Sequence, residues 1–190
     1  NPTSLYAKQP TVYYGLMYLA KNAKKEVKIH TPYIICNDYM YNELKNIKVP
    51  TTIMTNSAEN NGNIFGAVDY LNHKKDIINT GVTIKEYEGG ISYHGKSMTI
   101  DDDIAIVGSF NMDMRSAYID TELMLVINSK DINKQLKASM EEYEKKAATV
   151  KNETEYSHIP EGMKMKELSD KKKNIKAWFG WAMNGLRFLF

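Results

Sequence analysis

The sequence predicts an α/β fold in which a mixed β-sheet is flanked by helices on both faces. Segments with helical spacing of apolar residues alternate with short β-branched runs, and a cluster of strands closed by a helix follows. This order of segments is typical of a sheet covered on two sides. The 190 residues are 43% hydrophobic and 25% charged, which is the composition of a globular domain with its own core.

Local patterns define each element of the first half. Val12, Leu16 and Leu19 share one face of a helix. Pro32 turns a β-branched strand into a loop, and Gly81 ends a long helix. The predicted elements are a helix over 11–24, a strand over 26–35, a helix over 37–47, a strand over 50–56, a helix over 64–78 and a strand over 82–87.

The second half is predicted as strands followed by one helix. Gly89 and Gly90 turn the chain into a strand over 92–100, and three aspartates at 101–103 make a polar turn. Strands over 104–108 and 121–127 follow. Ser129 then precedes a helix with a predicted apolar face made of Ile132, Leu136, Met140 and Tyr143.

The end of the chain changes in composition. Residues 148–163 are polar and predict a connector, and a basic, aromatic tail follows, so the chain divides into 1–147 and 148–190. On a helix the tail residues Ile175, Trp178 and Leu186 share a side, although Trp181 interrupts the polar face. Two interpretations stand. The tail docks its aromatics on the domain or on a partner, or it is an interfacial membrane anchor with lysines facing anionic headgroups.

One motif dominates the sequence. His94, Lys96 and Asp101 form H-x-K-x4-D, and a G-S-x-N run that contains Ser109 and Asn111 follows. With each residue type at roughly 5% frequency, these positions match by chance about once in 10⁷ to 10⁸ starts. Glu122 follows at the predicted beginning of the last strand.

The residue types of this motif point to phosphoryl transfer. On a strand, His94 and Lys96 lie two apart and face the same side, whereas Asp101 has the opposite parity and is expected to fix the turn. A neutral imidazole acts as a nucleophile or a proton donor, and Lys96 supplies a cation for a phosphate oxygen. Ser109 and Asn111 are side-chain donors for non-bridging oxygens. Glu122 is placed to orient a histidine.

These residues resemble the HKD motif of the phospholipase D superfamily, and the run GSFNMDMRSAYIDTE is similar to its cardiolipin-synthase branch. The resemblance covers about residues 10–145. It implies metal-free transfer of a phosphatidyl group through a phosphohistidine, without a cofactor. It also implies that the catalytic residues are His94, Lys96, Asp101 and Glu122, and that the phosphate ligands are Lys96, Ser109 and Asn111.

Enzymes of this superfamily use two HKD motifs per active site, and this chain has one. The other histidines, His30, His73 and His158, lack a lysine two residues later and are expected in structural or surface roles. The resemblance therefore implies a phospholipase D-like C-terminal half over 1–147. Its partner is a missing N-terminal half preceding Asn1, or a second copy of the chain. Loop residues Tyr33, Asn56 and Ser57 are expected to face the ligand.

The predicted function is that of the C-terminal half of a bacterial cardiolipin synthase-type phosphatidyltransferase acting on phospholipids. One alternative is a single-motif homodimeric phosphodiesterase or nuclease, and another is a non-catalytic membrane- or partner-binding module. A net charge of +2 argues against nucleic acid as the partner. The single Cys36 and the lack of a run of about 20 apolar residues predict a peripheral protein on the cytoplasmic side of the cell membrane.

Overall fold

The fold is an eight-stranded mixed sheet with helices on both faces, as predicted, and a computed structural model describes residues 8–179 and 187–189. The helices are α1 Thr11–Lys21, α2 Asp38–Lys45, α3 Ile64–Asn79, α4 Met114–Tyr118, α5 Lys130–Glu144 and α6 Asp170–Phe179, with a 3-10 helix at Arg187–Leu189. The strands are β1 Val27–His30, β2 Ile34–Ile35, β3 Thr51–Asn56, β4 Thr83–Tyr87, β5 Ser97–Ile100, β6 Ile104–Gly108, β7 Met112–Asp113, β8 Met124–Asn128, β9 Ala147–Val150 and β10 Tyr156–His158.

The main sheet has the strand order β10-β9-β4-β3-β1-β5-β6-β8. Strands β1, β3 and β4 are parallel, and the remaining neighbours are antiparallel. A separate parallel pair joins β2 to β7. The carboxyl ends of β1, β3 and β4 therefore lie at the same end of the sheet as the start of β5.

Alternation along β1 shows how both faces are covered. Ile29 packs in the main core, which also contains Leu16 and Met17 of α1. The neighbouring residues Lys28 and His30 point to the other face, where they contact carboxylates of α5. The sheet therefore lies between α5 on one side and the layer that contains α1 on the other.

Several predicted boundaries were wrong, and the strand before the motif turn is the most important. Strand β5 begins at Ser97, so the segment 91–96 that contains His94 is irregular. Asn56 holds this segment, because its side chain accepts from the Tyr93 N–H and donates to the Tyr93 carbonyl. The Asn56 side chain therefore forms the two backbone hydrogen bonds of Tyr93 that a neighbouring strand would otherwise form.

The end of the domain also differs from the prediction. Residues 148–163, predicted as a connector, contribute most of β9 together with β10, and β9 pairs with β4. The polar composition reflects an edge hairpin, whose outer strand is largely exposed. On α5, Ile132 and Tyr143 are exposed, whereas Asn133, Met140 and Glu144 are its buried residues.

The first part of the predicted tail helix is present. Helix α6 spans Asp170–Phe179, and the predicted tail residues Trp181 and Leu186 lie outside the described residues. The tail contacts the domain through Lys172, which is buried, and Arg187, which binds Asp69. Trp178 is 84% exposed, so this aromatic side chain does not take part in the docking.

Candidate active site

Four predicted site residues, His94, Lys96, Ser109 and Glu122, lie at the same end of the main sheet. His94 and Lys96 immediately precede β5, Ser109 follows β6, and Glu122 precedes β8. Because β6 runs antiparallel to both neighbours, the end of β6 lies beside the starts of β5 and β8. These four residues thus lie at the same end of the sheet, although they belong to three different connections between secondary-structure elements.

His94 is exposed and contacts two predicted residues. Its Nδ1 lies 2.8 Å from the ammonium of Lys96, and its Nε2 lies 3.4 Å from the hydroxyl of Tyr33. The Tyr33 and His94 rings meet edge to face, with centroids 6.2 Å apart. Lys96 also donates to the His94 carbonyl oxygen at 2.7 Å. The imidazole is therefore held from both ring nitrogens while the site stays open to solvent.

The pKa values of His94 and Lys96 are both lowered, and burial is the main cause for each. Burial lowers the pKa of His94, and the positive charge of Lys96 lowers it further. Burial also lowers the pKa of Lys96, although the carboxylates of Glu122 and Asp113 oppose this change. His94 is neutral at pH 7 as a result, since its ordinary value is already below 7. A neutral ring is the form that either attacks phosphorus or accepts a proton.

Ser109 is tied to Glu122. The Ser109 hydroxyl donates to the Glu122 carboxylate and accepts from the Leu123 N–H at 3.1 Å. Gly108 makes this approach possible, since a Cβ there would lie 2.1 Å from the Leu123 carbonyl oxygen. Glu122 therefore accepts a hydrogen bond from Ser109, one of the predicted phosphate ligands. A histidine was predicted as the partner of Glu122, but no histidine contacts Glu122 among the described residues.

Asn111 lies on the connection between β6 and β7. Its Nδ2 is 3.3 Å from the Ser116 hydroxyl, and its Oδ1 is buried with no hydrogen-bond partner among the described residues. Asp113 caps α4 by accepting from the Ser116 N–H at 2.6 Å. Asp113 has no predicted role, although an aspartate directly before a short helix is an N-cap signal. Its negative charge nevertheless acts on Lys96.

Asp101 lies at the opposite end of β5 from His94. Its carboxylate accepts from three consecutive backbone N–H groups, those of Lys24, Lys25 and Glu26, at 2.7 to 3.2 Å. The residue itself has a positive φ of 52°. Asp101 therefore fastens the α1 to β1 connection to the turn after β5. The structure does not bring it to the His94 end of the sheet.

A second layer of polar side chains supports the His94 segment. Asn56 and Ser57, predicted to face a ligand, are buried. Asn56 binds Tyr93 as described above, and Ser57 donates to Glu88 at 2.5 Å. Among the predicted loop residues, Tyr33 alone contacts His94 in the described part of the chain. Asn56 instead fixes the residue that precedes His94.

The remaining histidines do not reach the site. His30 is buried, with Nε2 3.2 Å from Glu144 and Nδ1 3.3 Å from the Tyr93 hydroxyl. His73 lies 3.0 Å from Asp76 on α3, and His158 lies on β10 at the far edge of the sheet. Within the described residues, His94 is thus the one histidine whose ring is exposed to solvent at the end of the sheet where β5 begins.

Sequence comparisons identify relatives of the whole domain. Residues 16–143 match the family described as "Cardiolipin synthase, PLD-like domain". Cardiolipin synthase 1 of Staphylococcus epidermidis is 31% identical over 157 residues, which cover 81% of this chain and 31% of that protein. A cardiolipin synthase of Staphylococcus aureus is 32% identical over 127 residues, 65% of this chain and 25% of that protein. The chain thus spans about a third or less of these relatives.

Solved structures share the fold at low sequence identity. Phosphatidylserine synthase of Haemophilus influenzae superposes with a TM-score of 0.66 at 16% identity, covering 92% of this chain and 44% of that chain. The phospholipase D family member Nuc of Salmonella typhimurium gives 0.58 at 15% identity, covering 72% and 89%. Together with the motif geometry and the match over 16–143, these findings show that the chain belongs to the cardiolipin synthase, phospholipase D-like domain family.

Proposed function

We propose that this chain is the C-terminal half of a cardiolipin synthase-type phosphatidyltransferase that acts on phospholipids through a phosphohistidine. The observation that carries the proposal is a site with one solvent-facing histidine, held by Lys96 and accompanied by Ser109 and Glu122. The relatives named cardiolipin synthase are about three times as long as the matched region. A longer protein has room for the second motif.

The proposed reaction has two steps that use two histidines. One histidine attacks phosphorus and forms a P–N bond, while the P–O bond to the leaving alcohol breaks and the second histidine protonates that oxygen. The second histidine then takes a proton from the acceptor alcohol, whose oxygen displaces the first histidine. The product is a new phosphodiester, and both histidines return to their starting state.

The contact with Lys96 fixes the tautomer of the neutral His94 ring. The Lys96 ammonium is a donor only, so Nδ1 of a neutral His94 accepts and the ring proton lies on Nε2. To protonate a leaving oxygen through Nε2, the ring must first take up a second proton at Nδ1 and become an imidazolium, because a neutral imidazole does not give up its last N–H proton. Lys96, Ser109 and Asn111 would bind the non-bridging oxygens and stabilise the charge that develops there.

The missing half is proposed to dock along β8. This strand is the edge of the sheet next to Glu122, and Leu123, Leu125 and Val126 are 77%, 57% and 47% exposed. An exposed apolar edge strand is a surface that other chains pair with. A half docked there would bring its own histidine next to the Glu122 carboxylate, which this chain does not use on His94.

Work at a membrane surface is part of the proposal. Trp178 is exposed on α6 together with Lys171 and Lys173, a combination that suits the interface of an anionic bilayer. No helix among the described residues is long and apolar enough to cross a membrane. We propose peripheral attachment to the cytoplasmic side of the cell membrane.

The proposal is tested by assaying the complete gene product on vesicles of phosphatidylglycerol. We expect cardiolipin and free glycerol to form without added metal. We also expect a second H-x-K-x4-D about one domain length, 150–200 residues, before His94 in the complete gene product. Absence of both cardiolipin formation and that second motif would contradict the proposal.

The second candidate is a homodimer in which two copies of this chain complete one site. The observation that favours it is the alignment with Nuc, in which a fold of this size accounts for 89% of the solved chain. Sedimentation would show a stable dimer, and cleavage of a phosphodiester by the isolated chain would require it. A monomeric, inactive chain that gains activity with its upstream half excludes this candidate.

A further inference from the structure

Helix α6 contacts the loop that follows β3, and this loop is hydrogen-bonded to the segment that carries His94. The matched family region ends at residue 143, well before α6 begins at Asp170. The contact is polar and is centred on Lys172, which is 8% exposed. A lysine that is so buried requires acceptors for all of its N–H groups, because an unpaired buried charge is costly.

Lys172 finds those acceptors on a single loop. Its ammonium donates to the carbonyl oxygens of Ala58, Glu59 and Asn61 at 2.8, 2.5 and 3.0 Å. An ammonium has three donors, so this set satisfies it completely. Beside it, the Ser169 N–H donates to the Glu59 carboxylate at 2.9 Å. We call Ser169 and Lys172 the C-terminal latch.

The latched loop, residues 57–62, is bonded in turn to the segment before His94. Asn60 Nδ2 donates to the Ile91 carbonyl at 3.1 Å and to Asn56 Oδ1 at 3.2 Å. The Gly62 N–H donates to the Ser92 hydroxyl at 3.1 Å. Asn56 holds both backbone groups of Tyr93. The loop held by Lys172 is therefore connected to the three residues that precede His94 by hydrogen bonds of the Asn56, Asn60 and Ser92 side chains.

We propose that Lys172 is a positioning residue for His94, acting through loop 57–62 and the segment 91–93. This inference rests on the proposed role of His94, but the coupling between latch and loop exists or fails independently of any activity. Lys172 does not touch the reacting groups. It keeps the irregular segment that carries His94 in one arrangement, a task that no strand pairing performs there.

The first experiment compares Lys172→Met with Lys171→Met. Methionine keeps much of the lysine volume but removes the charge and the three donors, and Lys171 is the exposed neighbour on the same helix. We expect amide hydrogen exchange in 57–62 and 91–96 to accelerate at least tenfold in Lys172→Met, with β5 and β6 unchanged. We expect Lys171→Met to match the wild type. Unchanged exchange in both loops would overturn the proposal, as would an equal acceleration throughout the sheet.

A second readout separates positioning from a purely structural contribution. In Lys172→Met the His94 imidazole should be less well held against Lys96, so its NMR titration midpoint should rise toward the ordinary histidine value. An unchanged midpoint would overturn the proposal. In the complete enzyme kcat should fall more than KM changes. If the exchange results show that the latch and the loop are coupled but the wild-type enzyme transfers no phosphatidyl group, the proposed function is wrong, whereas the coupling through the latch stands.

If Lys172→Met does not fold, native-state exchange of the wild type decides the matter. The amides of α6 and of loop 57–62 should open together in low denaturant, at a free energy below that of global unfolding. Independent opening of the loop while α6 stays closed would overturn the proposal.

Discussion

The ammonium of Lys96 lies 2.8 Å from Nδ1 of His94 and 2.7 Å from the carbonyl oxygen of the same residue. Although neither residue lies on a strand, the lysine reaches back along its own backbone to hold the histidine ring. This contact disfavours the imidazolium, since a second positive charge on the ring would face the ammonium. It also fixes which ring nitrogen carries the proton.

Replacing Lys96 by methionine should raise the pKa of His94. Lys96 lowers that pKa by charge repulsion, so its removal leaves burial as the remaining cause of the lowering. Histidine NMR titration of the isolated chain measures the change without any substrate. A midpoint that stays constant or falls would show that Lys96 does not control the His94 proton. Lys130→Met, an exposed change on α5, serves as the control.

Replacing Asp101 by alanine should destabilise the fold by roughly 2 kcal/mol. The change removes the acceptor of three backbone N–H groups and places alanine at a positive φ. Asp101→Asn should cost less, because asparagine tolerates this φ and keeps one acceptor oxygen. Urea denaturation at pH 7 measures both variants. Equal stability of Asp101→Ala and the wild type would contradict this structural role.

The free energy of unfolding should fall in acid, because Glu144 then becomes protonated and loses its ionic contacts. Glu144 binds His30 at 3.2 Å and Lys85 at 2.5 Å, and although burial opposes the shift, these contacts lower its pKa from 4.5 to about 2. A depressed carboxyl pKa stabilises the fold above the unfolded value, and this contribution disappears as the pH falls from about 4.5 to about 2. The contribution at neutral pH is on the order of 3 kcal/mol.

The Glu144→Gln variant tests that contribution directly. It should be less stable than the wild type at pH 7 and nearly equal to it at pH 2, so its stability curve should be flatter in acid. Glu142→Gln on the exposed face of α5 should change stability by less than about 0.5 kcal/mol. Parallel stability curves for Glu144→Gln and the wild type would rule out the proposed contribution.

Ser109→Ala should reduce kcat/KM of the complete enzyme about 10- to 100-fold. The variant loses one hydroxyl donor for a phosphate oxygen, worth about 1.5–3 kcal/mol when the acceptor is charged. It also frees Glu122 from its hydroxyl partner. Ser139→Ala, an exposed change on α5, should retain wild-type turnover. Steady-state kinetics on lipid vesicles would argue against a phosphate-binding Ser109 if the two variants behaved alike.

The elements that follow local rules are predictable from the sequence. Asn37 and Ser129 cap their helices through side-chain oxygens, as their positions suggest. Strand β6 has the predicted bounds because Ile104–Gly108 is a short apolar run between a polar turn and a glycine. In these cases the information lies within a few residues of the element.

The His94 segment is not predictable in this way. It reads as a strand, but its backbone groups are taken by the side chain of Asn56, which lies 37 residues earlier in the chain. The burial of Lys172 depends in the same way on carbonyl groups more than 100 residues away. A basic run predicts a solvated surface, and only the tertiary fold reveals that one of its lysines is buried.

The pairing of Ser109 with Glu122 shows a similar limit. The spacing of the motif identifies both residues as site candidates, but the bond between them depends on the register of β6 against β8. Strand register follows from packing over the whole sheet. The motif spacing therefore identifies Ser109 and Glu122 as candidates, whereas the contact between them is visible only in the folded sheet.

The most direct test of the central claim is phosphatidyl transfer by the complete gene product with His94→Ala. We predict that cardiolipin formation falls by at least about a thousandfold, because the step that requires proton transfer loses its group. His73→Ala, which changes a histidine on α3 away from the site, should keep wild-type activity. Cardiolipin formation that is undiminished in His94→Ala would contradict the account.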